Sequence, residues 1–291
     1  MPSILTRPFS LLANPTIHCH RLPDGQPHVH PKVCTKSHPG HRVIAICGKG
    51  GVGKTAFSAL ATHALLHRAD TGRLLVVDAD PAFGLALALG LETDRTIAHV
   101  RERLLAAARG TSQEAEQEIA QNLDYLIFES LIETDEFAFL AMGRSQDLGC
   151  YCSVNDLLRD AMEVLAQEFD TVLIDGEAGL EQINRQVVAS VDDLIIVTDG
   201  SLRGQRTVDS VVAMAQEHAL VPNDRIYVVL NCQDKDTANA YDTTQIPRLL
   251  GSIPADSELA AFDRAGTSLL TLPSDNPASH AVQHIIDHLV G

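Results

Sequence analysis

The octapeptide GKGGVGKT, residues 48–55, sets glycines, two lysines and a threonine where they could hold a triphosphate. Gly48, Gly50, Gly51 and Gly53 let backbone amides wrap phosphate oxygens free of Cβ clashes. Lys54 is placed to neutralise the β- and γ-phosphates of ATP, and the Thr55 hydroxyl to help hold Mg2+. Val52 and Ala56 complete the set expected along the nucleotide. A glycine-rich linker has the same composition but not the same order, in which a strand precedes the loop and a helix follows. A second chemistry resides in LGCYCSVND, residues 148–156. Thiolates at Cys150 and Cys152 can converge on one soft ion, such as Zn2+, Cu+ or an iron–sulfur cluster, or hold Ni2+ in a planar site. One chain offers two such ligands, whereas a closed site needs about four. A symmetric dimer would supply four by joining two pairs on its axis. Two packing cysteines are the bland alternative. Ser153 with Asp156 resembles a capping box, so a helix should start just after Cys152, where thiols deprotonate more readily.

The elements that must carry these residues alternate. Short apolar runs, RVIAIC (42–47), RLLVVD (73–78), LDYLIF (123–128), TVLID (171–175), DLIIVT (193–198) and RIYVVLN (225–231), read as strands covered on both faces. Helical stretches at 54–69, 154–168, 203–219 and 279–290 separate or follow them, and 94–122 reads as one or two surface helices. This order predicts an α/β fold with a mostly parallel central sheet and helices on both faces. The expected domain is 42–291. Residues 1–41 differ, with seven prolines, six of the chain's 13 histidines and little periodicity, and are expected to form a loosely ordered extension. HCH (18–20), HVH (28–30) and Cys34 there offer imidazole and thiolate to a transition metal.

The chain has 22 Lys and Arg against 38 Asp and Glu, a net charge of −16, which disfavours nucleic acid and anionic lipid as partners. The six cysteines do not form a disulfide framework, and Cys47 and Cys232, in apolar runs, should pack as small hydrophobes. No 18-residue apolar run and no signal-peptide pattern occur, so a cytoplasmic location is expected.

Lys49 in this loop matches the extra lysine of the deviant Walker A class, which includes MinD, ParA, the nitrogenase iron protein and metal-insertion ATPases. The resemblance implies an ATP-driven homodimer in which Lys49 reaches the partner's nucleotide. It also implies that Asp80, in VVDADP, orients or activates the attacking water, and that Asp175, ending TVLID, lies near Mg2+, with Gly179 flexing behind it. Asn231 matches the adenine-contacting asparagine, and the chain around Pro254 would close over the base. GCYCSVNDLLRD, then TVLIDGEAGLEQINR and DDLIIVTDGSLRGQRT, narrow the resemblance to the CooC-type ATPases that mature nickel enzymes such as carbon monoxide dehydrogenase. It covers roughly residues 42–290. By it, Cys150 and Cys152 bind Ni2+, or Zn2+ in its place, at a dimer interface, and a client nickel enzyme is the partner. Gly176 and Ala56 depart from the expected pattern, and the first 41 residues lie outside it. Two alternatives are an electron-donating iron–sulfur ATPase and a MinD- or ParA-like positioning switch. The closing SHAVQHIIDHLVG lacks the Lys and Arg of a membrane helix and is expected to pack on the sheet.

Overall fold

The computed structural model describes residues 41–80, 83–108, 123–144, 152–177, 190–233 and 247–291. Eight strands form one sheet: β1 Arg42–Cys47, β2 Leu74–Asp78, β3 Leu131–Glu133, β4 Ala138–Ala141, β5 Thr171–Asp175, β6 Asp193–Thr198, β7 Ile226–Gln233 and β8 Arg248–Pro254. Their spatial order is β3-β4-β2-β5-β1-β6-β7-β8. Every neighbouring pair is parallel except β3 with β4. The described α-helices are α1 Lys54–Leu66, α2 Gly84–Leu89, α3 Ile97–Ala108, α4 Leu123–Glu129, α5 Cys152–Gln167, α6 Leu202–Glu217, α7 Ser257–Ala265 and α8 Pro277–Val290.

Alternation along β1 shows how the sheet is covered. Val43, Ala45 and Cys47 enter one core with Leu104, Leu126, Met162 and Val211 from α3 to α6. Ile44 and Ile46 enter the other, with Phe57 of α1, Leu85 of α2 and Ile286 of α8. Successive strand residues point to opposite faces, so a strand flanked by helices on both sides must be apolar throughout. The expected α/β sheet is therefore the one observed.

LDYLIF is not a strand but α4. Leu123, Leu126 and Ile127 are buried while Tyr125 and Phe128 are exposed, a spacing of three and four residues that only a helix turns to one side. Helix α3 is amphipathic: His99, Arg103 and Ala106 are exposed, while Ile97, Val100, Leu104 and Leu105 are buried. Cys47 is buried as expected, and burial pushes its thiol up to about 12. The side chain of Cys232, the extension up to residue 40 and the stretch 109–122 lie outside the described residues.

At the N-terminal edge of β1 the first strand is tied to the last helix. Arg42 Nε donates to the fully buried Asp193 carboxylate at 2.6 Å, and its Nη2 donates to the Leu289 carbonyl of α8, also at 2.6 Å. Arg225 approaches Asp193 at 3.2 Å. Two guanidinium charges thus offset a carboxylate that would otherwise be costly to bury, although its Oδ1 accepts no hydrogen bond among the described residues. The Asn276 side chain caps α8 by accepting from the amides of Ala278 and Ser279. Among the described residues, no helix is long and apolar enough to cross a membrane.

Candidate nucleotide site

The carboxyl ends of β1, β2 and β5 lie side by side, with Ile46 opposite Asp175 and Asp78 opposite Asp175 in register. Ligands of open α/β sheets bind beyond this edge. Leaving β1, the chain turns sharply at Gly48, whose φ is +149°; a Cβ there would stand 2.1 Å from the Val197 carbonyl oxygen of β6. The Gly48 amide donates to the Glu177 carbonyl at 3.3 Å, fastening the loop to the segment after β5. Gly50 and Gly51 face open space. Gly53, at φ +83°, precedes α1 with no side-chain cap, so the first-turn amides of that helix are unclaimed by capping side chains and suit an anion.

Lys54 is buried at the start of α1, with its Nζ 3.5 Å from the Lys49 carbonyl, so its ammonium lies across the loop. Asn231, at the end of β7, is also buried; its Nδ2 donates to the Val52 carbonyl at 2.7 Å and would crowd a Cβ at Gly53 to 2.3 Å. Its side chain thus braces the loop. Val52 is buried, Ala56 is half-buried, and Pro254 closes β8, half-buried opposite Gln233.

Asp175 is 1% exposed, and its Oδ1 accepts from the Ser58 hydroxyl at 2.8 Å. Burial raises its carboxyl to about 6, against the lowering effect of the Ser58 and Thr55 hydroxyls and the Lys54 charge. Its Oδ2 is buried with no hydrogen-bond partner among the described residues. A bare carboxylate oxygen beside a threonine hydroxyl is what a hard cation such as Mg2+ takes, so Thr55 and Asp175 fit that ion. Asp78 is raised further, to about 7, by burial and by the neighbouring Asp175 charge. Its two oxygens accept from the amides of Asp80 at 3.1 Å and Leu85 at 3.0 Å, which shapes the turn after β2. Asp80 is half-exposed on that turn, and its carbonyl accepts from Phe83. Phe83 adopts a left-handed φ of +57°, and a Cβ on Gly84 would reach Thr55 at 3.3 Å. The glycine at the start of α2 therefore leaves room for the residue that fits the cation.

Lys49 does not stand free in solvent. Its Nζ donates to Asp199 Oδ2 at 3.1 Å, on the turn after β6. The Ser201 hydroxyl also donates to Asp199, at 2.6 Å, and with Lys49 holds that carboxyl below its ordinary value. Asp199, Asp78 and Ser58 were not among the residues expected at this site. The Thr-Asp-Gly-Ser turn leads into α6 with Ser201 as its N-cap and Asp199 two residues before it, and Ser58 lies four residues after Lys54 on the same helical face.

Cys152 is the first residue of α5, so the helix begins where the cysteine motif ends. Cys150, the Cys152 side chain and Gly179 lie outside the described residues. Among the described residues, no group of three or more His, Cys, Asp or Glu side chains is arranged to hold a metal.

The sequence profile of the AAA domain family matches residues 41–228. An uncharacterized ATP-binding protein of Methanocaldococcus jannaschii is 38% identical over 85% of this chain and 98% of its own length. The carbon monoxide dehydrogenase accessory protein CooC of Rhodospirillum rubrum is 30% identical over 85% of this chain and 97% of its own. Among solved structures, the MinC:MinD cell division protein complex of Aquifex aeolicus superposes with a TM-score of 0.64 at 21% identity, covering 86% of this chain and 96% of that one. A ParA family ATPase from Chlorobium tepidum gives 0.62 at 19%, covering 86% and 99%. These two show the shared fold.

Proposed function

The chain belongs to the AAA domain family of P-loop ATPases, in the MinD/ParA class, and from that premise we propose that it is a metallochaperone of the CooC type, using ATP to capture and release a nickel ion. The observation that carries this reading is the 30% identity to CooC along most of both chains, in a sequence that places Cys-Tyr-Cys at the start of α5. In this reading Cys150 and Cys152 of two copies form one four-sulfur cage for Ni2+, the cargo, with Zn2+ able to occupy it. Nucleotide binding brings the copies together. Lys49 then leaves Asp199 to meet the partner's phosphates, while Gly48 to Thr55 hold their own.

For hydrolysis, Asp80 orients a water oxygen toward the γ-phosphorus as the bond to the ADP oxygen breaks, and the water's proton leaves to the solvent or the phosphate. Lys54 and the first-turn amides of α1 carry the charge that builds on the phosphoryl oxygens. Thr55 and Asp175 would hold Mg2+, which would supply further positive charge against the triphosphate. Asn231 and Pro254 flank the base. The opened dimer yields its nickel to a client nickel enzyme, such as carbon monoxide dehydrogenase.

The positioning reading is disfavoured by α8, whose apolar residues Val282, Ile285, Ile286 and Leu289 are already buried against the sheet rather than available to a bilayer. Size-exclusion chromatography with metal analysis, with and without ATP and Ni2+, tests the proposal. It expects an ATP-dependent dimer that holds about one ion per two chains more than the nucleotide-free protein, and this increment is lost in Cys150→Ala and Cys152→Ala with ATP binding retained. Unchanged metal content in both variants defeats it. A brown, anaerobically purified protein with about four irons per dimer would put an iron–sulfur cluster in its place.

A further inference from the structure

Helix α8 displays His280, His284 and His288 on one exposed line, each four residues from the next. Four residues advance a helix by about 6 Å and nearly a full turn, so the three rings form a ladder. Their centroids are 6.1 Å apart between His280 and His284 and 6.3 Å apart between His284 and His288. An ion about 2.0–2.1 Å from an imidazole nitrogen on each of two rings, at the roughly 90–109° angles of square-planar, octahedral or tetrahedral sites, sets their centroids roughly 4.5–5.2 Å apart. Each exposed pair stands about 1 Å wider than this, a gap that a small side-chain rotation closes.

One ring is already oriented for the purpose. His288 Nδ1 lies 2.7 Å from the His284 carbonyl oxygen. A carbonyl only accepts, so Nδ1 carries the proton and the Nε2 lone pair faces outward, the arrangement that backbone carbonyls impose on metal-ligating histidines. The scaffold beneath is fixed by the Asn276 cap and by burial of Val282, Ile285, Ile286 and Leu289 on the opposite face.

We propose that α8 carries a surface site for one borderline divalent ion of the Zn2+, Ni2+ or Cu2+ class, clamped between His284 and either His280 or His288, with water completing its shell. No third protein ligand converges among the described residues, and a two-imidazole clamp requires none. His284 belongs to both clamps. His280 and His288 are about 12 Å apart along the axis and cannot share an ion without it. The site stands on this helix alone and does not depend on nickel delivery through the cysteines.

The test is carbethoxylation of the full chain by diethyl pyrocarbonate, mapped by peptide mass spectrometry, with Zn2+ alone as the probe. Zn2+ is expected to protect His284 and, as the ion exchanges between the two clamps, both His280 and His288 in part, while the solitary exposed His218 reacts as before. In the His284→Ala chain, protection of both His280 and His288 is lost. In the His280→Ala chain, His284 and His288 stay protected. These positions are exposed, so the packed face of α8 is unchanged and the variants fold. Equal modification of His284 with and without Zn2+ overturns the proposal, as does protection of His280 or His288 that survives His284→Ala.

Discussion

Lys49 and Asp199 form an ion pair at 3.1 Å, with the two side chains 34% and 36% exposed. A pair this wet contributes at most about 1 kcal/mol. It is strong enough to park the ammonium beside its own loop and weak enough to give way to a phosphate. If Lys49 serves a partner's nucleotide, Asp199→Asn should favour the ATP-bound dimer by up to about fivefold, the equivalent of that energy. Lys49→Ala should abolish the dimer while sparing monomer nucleotide binding. Sedimentation velocity with a non-hydrolysable ATP analogue reads both, and a weaker dimer in Asp199→Asn would refute the parking role.

Asp175 should make cation binding depend on pH. Its carboxyl is raised to about 6 by burial, so protons compete with Mg2+ below that value. The Mg2+-dependent part of ATP affinity should climb about tenfold per pH unit up to this value and level off above it. Removing the Ser58 hydroxyl deletes a contact that lowers the carboxyl, so Ser58→Ala should move the whole profile to higher pH. Fluorescent nucleotide titrations with and without Mg2+ measure it; an unmoved profile contradicts the assignment.

Asp78 gives the opposite sign for the ligand-free fold. Its folded value is raised from 3.8 to about 7, so the folded state holds the proton more tightly than the unfolded chain does. That contribution is complete below the unfolded value and disappears as pH rises through the folded one. Asp78→Asn should therefore show a smaller fall in Tm than the parent between about pH 5 and 8. Parallel Tm profiles would show that this carboxyl is not the source.

Gly48→Ala should destabilise the fold and remove nucleotide binding together. Its Cβ would stand 2.1 Å from a backbone oxygen of β6, which cannot swing aside. Overpacking of this kind costs about 1–3 kcal/mol, to which the positive φ adds strain. Gly50→Ala, with open space around it, should cost little stability. Denaturant unfolding of the two variants separates these outcomes.

Much of this site was legible because its chemistry is local. The loop, Asp80, Asp175 and Asn231 each follow a β-branched apolar run, and such runs become buried strands. The weaker elements carried less signal. Ala138–Ala141 is four residues long, and Arg248–Pro254 contains glycine and proline and is largely half-exposed. LDYLIF misled because its composition suits a strand, while its contacts with the core recur every three to four residues. Asp199 was hidden for another reason. Its partner Lys49 is 150 residues away, and only the placement of β6 beside β1 brings them together.

The same placement gives the Arg42 cluster a wider meaning. Because Arg42 joins Asp193 to the Leu289 carbonyl, the final helix is keyed to the opening strand rather than trailing behind it. Fraying from the C-terminus would strip the Arg42 guanidinium of its Leu289 partner, so loosening at one end of the domain is felt at the other.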